Sequence, residues 1–432
     1  MVEAANVKNP GRVRFLELIY RRLDPNLSLE RLHHHPIIAM SATPETPSAP
    51  AAVHSRTKPF WAEVVSHERL TGPGSAKDTR HFVLNLQGSG LSYVPGDSLG
   101  VFGSNSPALV QELLQLTGFD PETPIRDTTG GFTVLREALT RDFIINRANR
   151  KIMAALEVRM PQGEQRNRLA ALISDSEALS QYIETRDFVD VLRDFSEARF
   201  DTPQGLLAQL TPVTPRLYSI ASSLALHPDE VHLCIAIVRY DTHGRSKKGL
   251  TSGFLADHAD AFLKSVPVYV QPSRTFRLPS NPDTDIIMVG PGTGIAPFRA
   301  FIEQRVAEGA KGRNWLFFGE QHRASDFLYG QEWLRYQESG KLHHLDLAFS
   351  RDQEHKVYVQ HRMRERAREL WSWLQQGAHF YVCGDAKRMA KDVHQTLIAI
   401  AMEQGGLSPE AAADYVNVTL MKTEKRYLRD VY

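Results

Sequence analysis

Two stretches of this sequence carry residue types and spacings suited to phosphate chemistry. The first, Asp285 to Arg299 (DIIMVGPGTGIAPFR), runs from an apolar strand pattern into a glycine-rich turn and then a helical pattern. Gly290, Gly292 and Gly294 let a ligand approach the main chain closely. The helix start behind them offers unpaired N–H groups and a positive dipole end, which suits a pyrophosphate. The plain alternative is a tight strand-to-helix turn. The second, Phe349 to Gln360 (FSRDQEHKVYVQ), follows another apolar strand pattern. Ser350, Arg351, Lys356 and Tyr358 supply a guanidinium fork, a point charge and two hydroxyls. A site for NAD commonly sets a carboxylate against the ribose 2′-OH, whereas cations suit the 2′-phosphate of NADP. Standing alone, this segment reads better as a solvated polar loop.

Three further stretches are weaker by themselves. His379 to Asp385 (HFYVCGD) is a strand pattern ending at Cys383, and a lone cysteine at a strand end is usually a small buried hydrophobe. Pro215 to Ser223 (PRLYSIASS) alternates a cation, a ring and hydroxyls. Strand geometry puts Arg216, Tyr218 and Ile220 on one face and Leu217 and Ser219 on the other. This strand suits a phosphate and a ring system, or equally an ordinary barrel. In Lys248 to Leu255 (KGLTSGFL), small residues precede a helical pattern, so main-chain N–H groups and Ser252 are placed for a second phosphate.

The elements that must position these residues fall into three parts. Residues 1–58 read as an extension and flexible linker. They contain a possible amphipathic helix at Val13 to Leu23, three adjacent histidines (His33, His34, His35) and a Pro-, Ala- and Ser-rich tether from Ser41 to Val53. The histidines read as solvated, and no metal site is expected. Residues 59–282 show short strands, Trp61 to Val65, His81 to Leu86, Leu91 to Val101, Val231 to Tyr240 and Val266 to Val270. A helical insert over about 104–204 opens at Ser106-Pro107 and interrupts them. Residues 283–432 alternate strands (Asp285 to Val289, Asn314 to Phe318, His344 to Phe349, His379 to Cys383) with helices (Pro297 to Ala307, Lys387 onward), the pattern of a parallel sheet covered on both faces.

Composition narrows the class. The formal net charge of +1 gives no case for nucleic-acid or membrane binding, and no apolar run approaches the ~20 residues that span a bilayer. No secretory signal opens the sequence, and the two cysteines stand far apart, so a reducing cytoplasm is the expected setting. Seven cations between Thr140 and Arg168 (Arg141, Arg147, Arg150, Lys151, Arg159, Arg166, Arg168) form either a solvated helical face or a docking surface for an acidic partner.

PRLYSIASS, GPGTGIAPFRAF, FFGEQHRASDFLY, FSRDQEHKVYVQ, YVCGDAKRMAKDV and RYLRDVY occur here in that order. In this the sequence resembles the diflavin reductases over roughly Phe60 to Tyr432. Tyr432, where the microsomal cytochrome reductases usually have Trp, resembles their sulfite reductase flavoprotein (alpha subunit) branch. The resemblance implies a ferredoxin-NADP-reductase-like fold, with an antiparallel FAD-binding β-barrel, a helical connecting region and a parallel-sheet α/β domain for NADP. It implies hydride transfer from NADPH to FAD, then electron transfer to a sulfite reductase haemoprotein or a flavodoxin-like acceptor; a reductase for another acceptor such as free flavodoxin or a cytochrome is the alternative.

By position, the resemblance puts Arg216, Tyr218 and Ser219 on FAD, and Gly249 and Ser252 at the FAD pyrophosphate. Gly292 and Thr293 would lie along the NADPH pyrophosphate. Ser350, Arg351, Lys356, Tyr358, Gln360 and Asp385 would serve the rest of that coenzyme. Ser219, Cys383 and Asp430 would surround hydride transfer, with Tyr432 stacked on the flavin. There are two departures. The family's pyrophosphate loop usually has a small residue before its Ser or Thr, whereas Gly249-Leu250-Thr251-Ser252 leaves the register open. Family members usually begin with an FMN-binding flavodoxin domain, for which 58 residues are too few, so FMN is expected only on a partner.

Overall fold

The structure is a computed structural model that describes residues 54–127, 130–259 and 265–432. The Val13 to Leu23 helix, the three histidines and the tether lie outside the described residues.

Six strands form one antiparallel sheet: β1 (Phe60–Arg69), β2 (Thr79–Asn85), β3 (Ser98–Val101), β4 (Arg216–Ser219), β5 (Glu230–Ala236) and β6 (Ser265–Gln271). Their order is β4-β3-β6-β1-β2-β5. A bridge between Ile220, just past β4, and Leu233 of β5 joins the two outer strands and closes the sheet into a barrel. Alternation fills its interior: Ala62 and Val64 from β1, Phe82 and Leu84 from β2, Leu99 and Val101 from β3, Leu233 and Ile235 from β5. Two strand readings change. In Leu91 to Val101 only Ser98–Val101 pairs, because Pro95 has no N–H to donate and Gly96 takes φ 97°. Val231 to Tyr240 ends as a barrel strand at Ala236. Arg239–Thr242 then pairs with Arg245–Lys248 as a separate hairpin, turned by His243 (φ 53°) and Gly244 (φ 69°). Two consecutive positive φ values suit the right-handed twist of such a ribbon.

Helices occupy the chain between β3 and β4, from α1 (Pro107–Thr117) through α2 (Phe188–Asp194) to a last short helix at Pro203–Leu207. They enclose a core of their own, including Leu113, Leu139, Met153, Phe188 and Leu207. The Ser106 hydroxyl accepts from the Leu109 amide, with Pro107 at the first position, as the Ser-Pro pair predicts. After the hairpin, α3 (Leu250–Ala259) leads toward β6.

The remaining chain builds a five-stranded parallel sheet from β7 (Ile286–Val289), β8 (Asn314–Glu320), β9 (His344–Phe349), β10 (His379–Gly384) and β11 (Tyr427–Val431), in the order β9-β8-β7-β10-β11. Both faces are buried. Ile287 and Val289 pack with Trp373 and Leu397 on one side, while Ile286 and Met288 pack with Phe298 and Trp333 on the other. This is why the central strands read as continuous apolar runs. Helix α4 (Ala296–Ala307) follows a 3-10 turn at Gly292–Ile295, and α5 (Met389–Gly405) starts two residues later than the sequence pattern suggests. Strand β11 has no counterpart in the sequence reading. It follows a π-helical segment, Tyr415–Thr423, and is too short for a periodic signal.

Candidate active site

The parallel sheet reverses its order at β7. The chain first builds outward through β8 and β9, then returns to place β10 on the other side of β7. Ligands of open α/β sheets bind at such a switch point, beyond the carboxyl ends of the strands. The glycine-rich turn lies there. A Cβ added to Gly294 would stand 2.2 Å from the Cys383 carbonyl oxygen, so only glycine lets the turn lie against the end of β10. Gly292 takes the left-handed φ of 59° that begins the 3-10 turn.

Three adjoining cavities meet at this point. The first, about 550 Å³, is lined by Arg216, Tyr218 and Ser219 of β4, by Gly249 and Ser252 at the start of α3, and by Thr293 and Tyr432. A Cβ on Gly249 would come within 2.6 Å of the Ser252 hydroxyl, which itself accepts from the Val238 amide. Gly249 thus keeps main chain open where the helix presents its N–H groups. Arg147 also lines this cavity. Both Arg147 and Arg216 are exposed, and neither has an ion-pair partner among the described residues. Two unpaired guanidiniums and a helix start fit the charge of a pyrophosphate. Among the described residues the seven cations from Arg141 to Arg168 do not act as one free face. Arg141 pairs with Glu137, Arg166 with Glu157, Arg150 and Lys151 hold main-chain carbonyls, and Arg168 lies over Phe195.

The second cavity, about 690 Å³, lies between the barrel and the parallel sheet and shares Thr293 and Tyr432 with the first. The third, about 470 Å³, contains Ser350, Arg351, Lys356, Tyr358, Gln360 and Asp385. Arg351 and Lys356 are exposed and unpaired among the described residues, which leaves both charges free for a ligand. The Ser350 hydroxyl donates to the Glu320 main-chain carbonyl, and the Gln360 amide donates to Asp392. Asp385 is already engaged. Its carboxylate accepts the Arg388 and Met389 amides, which hold it below the usual carboxylate range and tie down the turn before α5.

The four residues expected around hydride transfer come together at the junction. Cys383 and Asp430 are register partners on β10 and β11. The Ser219 hydroxyl donates to Asp430 Oδ2 at 2.7 Å, and Cys383 Sγ lies 3.9 Å from the same oxygen. Burial, then the adjacent Asp430 charge, pushes the Cys383 thiol well up, so it stays protonated. Tyr432 is 54% exposed; its hydroxyl meets Thr293 Oγ1 at 3.1 Å, and its amide donates to the Gly384 carbonyl. Sequence reasoning missed Arg147, Arg388, Lys77 and Glu320, which line these cavities. Glu320 and Arg388 fall within the FFGEQHRASDFLY and YVCGDAKRMAKDV stretches and Arg147 among the seven cations between Thr140 and Arg168, whereas Lys77 stood in no stretch singled out.

Elsewhere His227, Glu230 and His232 gather their ligand atoms within 4.8 Å. The Arg299 guanidinium bonds Glu303 beside them and lies 3.4 Å from His232, so a cation already stands against this group.

Comparison with known proteins agrees with this geometry. Residues 52–254 match the FAD binding domain family and residues 288–395 match the oxidoreductase NAD-binding domain family. The chain is 47% identical over 380 residues, 88% of its length, to the sulfite reductase [NADPH] flavoprotein alpha-component of Bacillus subtilis (strain 168). It is 45% identical over 92% of its length to the component of that name in Serratia proteamaculans, and 46% over 91% to that in Escherichia coli (strain K12). It spans 62% to 64% of the length of these relatives. With the barrel and the switch-point sheet in the same order as the two matches, the chain carries an FAD binding domain followed by an oxidoreductase NAD-binding domain, and over about nine-tenths of its length it is similar to the sulfite reductase flavoprotein alpha-components.

Proposed function

We propose that this chain oxidises NADPH on bound FAD and passes the electrons to a sulfite reductase haemoprotein, in assimilatory sulfite reduction. The observation that carries the reading is that Ser219, which lines the first cavity, holds Asp430 beside Cys383, two residues before Tyr432, which lines both the first and the second cavity. The bound cofactors supply hydride transfer and the conversion of a two-electron donor into single-electron steps. The chain's own residues bind and orient. Arg216, with Arg147 and the start of α3, would face the FAD pyrophosphate, and Tyr218 the flavin ring. Ser350, Arg351, Lys356, Tyr358 and Gln360 would hold the 2′-phosphate end of NADPH, with Gly292 and Thr293 along its pyrophosphate. Asp430, fixed by the Ser219 hydroxyl, would put a negative charge where the nicotinamide becomes positive. The buried, protonated Cys383 thiol would stand beside that carboxylate without adding charge. Tyr432 would cover the flavin until the nicotinamide displaces it.

We place the protein in the cytoplasm. Both cysteines are free and buried, and among the described residues no helix is long and apolar enough to cross a membrane.

The purified chain should be yellow, release FAD on denaturation, and be bleached anaerobically by NADPH far faster than by NADH. A colourless chain that binds no flavin, or a flavin that neither coenzyme bleaches, removes the reading. Reduction of sulfite on adding the haemoprotein, compared with and without a flavodoxin, identifies the acceptor.

A further inference from the structure

The second and third cavities are joined through Lys77, Pro291, Gly292, Glu320 and Asp385, which line both. Lys77 is the cation among these five. It sits on the loop between β1 and β2, yet its ammonium reaches Glu320 at the carboxyl end of β8, 2.6 Å from one carboxylate oxygen and 2.8 Å from the other. The Glu320 side chain is 5% exposed and that of Lys77 is 40% exposed. The carboxylate also accepts the Gln321 amide at 2.8 Å, which fixes it from the sheet side. It stands against the glycine-rich turn, 3.4 Å from where a Cβ on Gly292 would lie. A dinucleotide that reaches from Ser350, Arg351 and Lys356 to Tyr432 must carry its pyrophosphate past this pair.

A carboxylate beside a pyrophosphate repels it, and a buried carboxylate cannot turn away into water. Its own main-chain carbonyl adds to the constraint, because it accepts both the Ser350 amide and hydroxyl. The ammonium is different. It ends a flexible four-carbon stem, is more exposed, and has three donors of which Glu320 takes two. Building on the NADPH reading above, we propose that Lys77 is a binding residue for the coenzyme pyrophosphate, held in place across the cleft by Glu320 and shared with the phosphates when the coenzyme enters. Glu320 positions the ammonium and opposes the anion; Lys77 offsets both effects. Lys77 acts on a part common to NADPH and NADH, whereas Arg351 acts on the 2′-phosphate that only NADPH carries.

The test uses the FAD-loaded full chain with Lys77→Ala, Lys77→Arg, Glu320→Gln and Arg351→Ala. The Kd for NADP⁺ is read from the flavin difference spectrum, and KM is measured for NADPH and for NADH. FAD content and Tm accompany each variant. Lys77→Ala should weaken NADP⁺ binding about tenfold or more, and raise KM for both coenzymes by the same factor, leaving the preference ratio unchanged. Lys77→Arg should restore most of the binding. Glu320→Gln should bind NADP⁺ more tightly than the unaltered chain, because the opposing charge is gone. The opposite directions of the two variants separate coenzyme binding from a plain strap between barrel and sheet, for which both would weaken binding alike. The proposal is overturned if Lys77→Ala leaves Kd unchanged at full FAD content, or if Glu320→Gln weakens binding as Lys77→Ala does. If Arg351→Ala still weakens NADPH selectively in that case, the coenzyme reading stands without Lys77. If neither coenzyme reduces the flavin of the unaltered chain, both readings fall.

Discussion

At the scale of single residues, the proposed hydride transfer depends on where one carboxylate is held. Asp430 receives the Ser219 hydroxyl from the barrel and faces Cys383 from the neighbouring strand. Asp430→Asn keeps the shape and removes the charge. It should slow flavin reduction by NADPH on the order of a hundredfold, in line with losses from removing one group aimed at developing charge, with a small change in NADP⁺ Kd. Stopped-flow bleaching at 450 nm measures this; an unaltered rate in a variant with full FAD would take Asp430 out of the hydride step. Tyr432 makes a complementary prediction. Aromatic stacking contributes about 0.5–1.5 kcal/mol beyond buried area, which is small enough for a nicotinamide to compete with it. NADH lacks the 2′-phosphate anchor and should suffer more from that competition. Tyr432→Ala should therefore improve kcat/KM for NADH more than for NADPH and slow NADP⁺ release; an unchanged preference ratio with FAD still bound would mean that Tyr432 is not the gate. Arg351→Ala should raise the NADPH KM roughly tenfold or more, from the loss of one charge-assisted contact worth ~1.5–3 kcal/mol, with the NADH KM nearly constant.

At the scale of elements, the helical region is fastened to the barrel by the Arg239–Thr242/Arg245–Lys248 hairpin. The Arg245 guanidinium bonds both Asp187 oxygens at 2.7 and 2.6 Å, Asp190 at 2.8 Å and Glu112 of α1 at 2.6 Å, while Lys247 bonds Asp190 and the Thr185 carbonyl. Asp187 also caps α2 through the Asp190 amide, so this cluster sets both the helix start and its attachment. The side chains of Asp187 and Asp190 are 3% and 5% exposed. Removing one partner leaves buried charge uncompensated, so Arg245→Met should cost about 3–5 kcal/mol, read as a lower urea midpoint and faster proteolysis of the helical region. Burial pushes the Asp190 carboxyl up, but hydrogen bonds from Lys247 and Arg245 outweigh it and hold the group below its ordinary value. A depressed carboxyl stabilises the fold above its unfolded pKa near 4, and that contribution is lost as pH falls below it.

At the scale of the whole molecule, barrel and parallel sheet are joined by a seam of buried polar groups that titrates in a different window. His81 Nδ1 meets the Tyr329 hydroxyl at 2.8 Å, and Arg299 of α4 bonds the Ala221 carbonyl, Glu303 and Glu332 while lying against His232. Burial, reinforced by Arg299 and neighbouring histidines, lowers His81 and His232 each to about 3. The unfolded chain takes up these protons below about pH 6.5 and the folded chain does not. Stability is therefore complete above that pH and falls as pH drops toward 3, by at most about 1.4 kcal/mol per pH unit for each group. The urea midpoint should decline from pH 6.5 to 5, before the Asp190 window opens. His81→Gln with His232→Gln should flatten the decline; an unchanged slope would clear the seam of responsibility.

Much of the site was legible because its parts are local. A glycine turn between strand and helix, a cation cluster after a strand, and Arg-x-Tyr-Ser on a strand each announce their chemistry from neighbours in sequence. The apolar runs that became β7, β8 and β10 were equally plain, since strands buried on both faces need apolar residues at every position. What sequence order could not supply was contact between distant segments. Asp430 reaches Ser219 across 211 positions because the short β11, which periodicity does not reveal, pairs in register with β10. Lys77 reaches Glu320 across 243 positions because the barrel and the parallel sheet face each other over one cleft. Arg147 looked like one of seven similar cations until the helical region folded it against the same cavity as Arg216. Local sequence thus determined where groups with chemistry suited to a phosphate or a ring system lie. Tertiary structure decided which of them share a site, since a carboxylate or an ammonium takes its role from the charges that packing brings within a few ångströms.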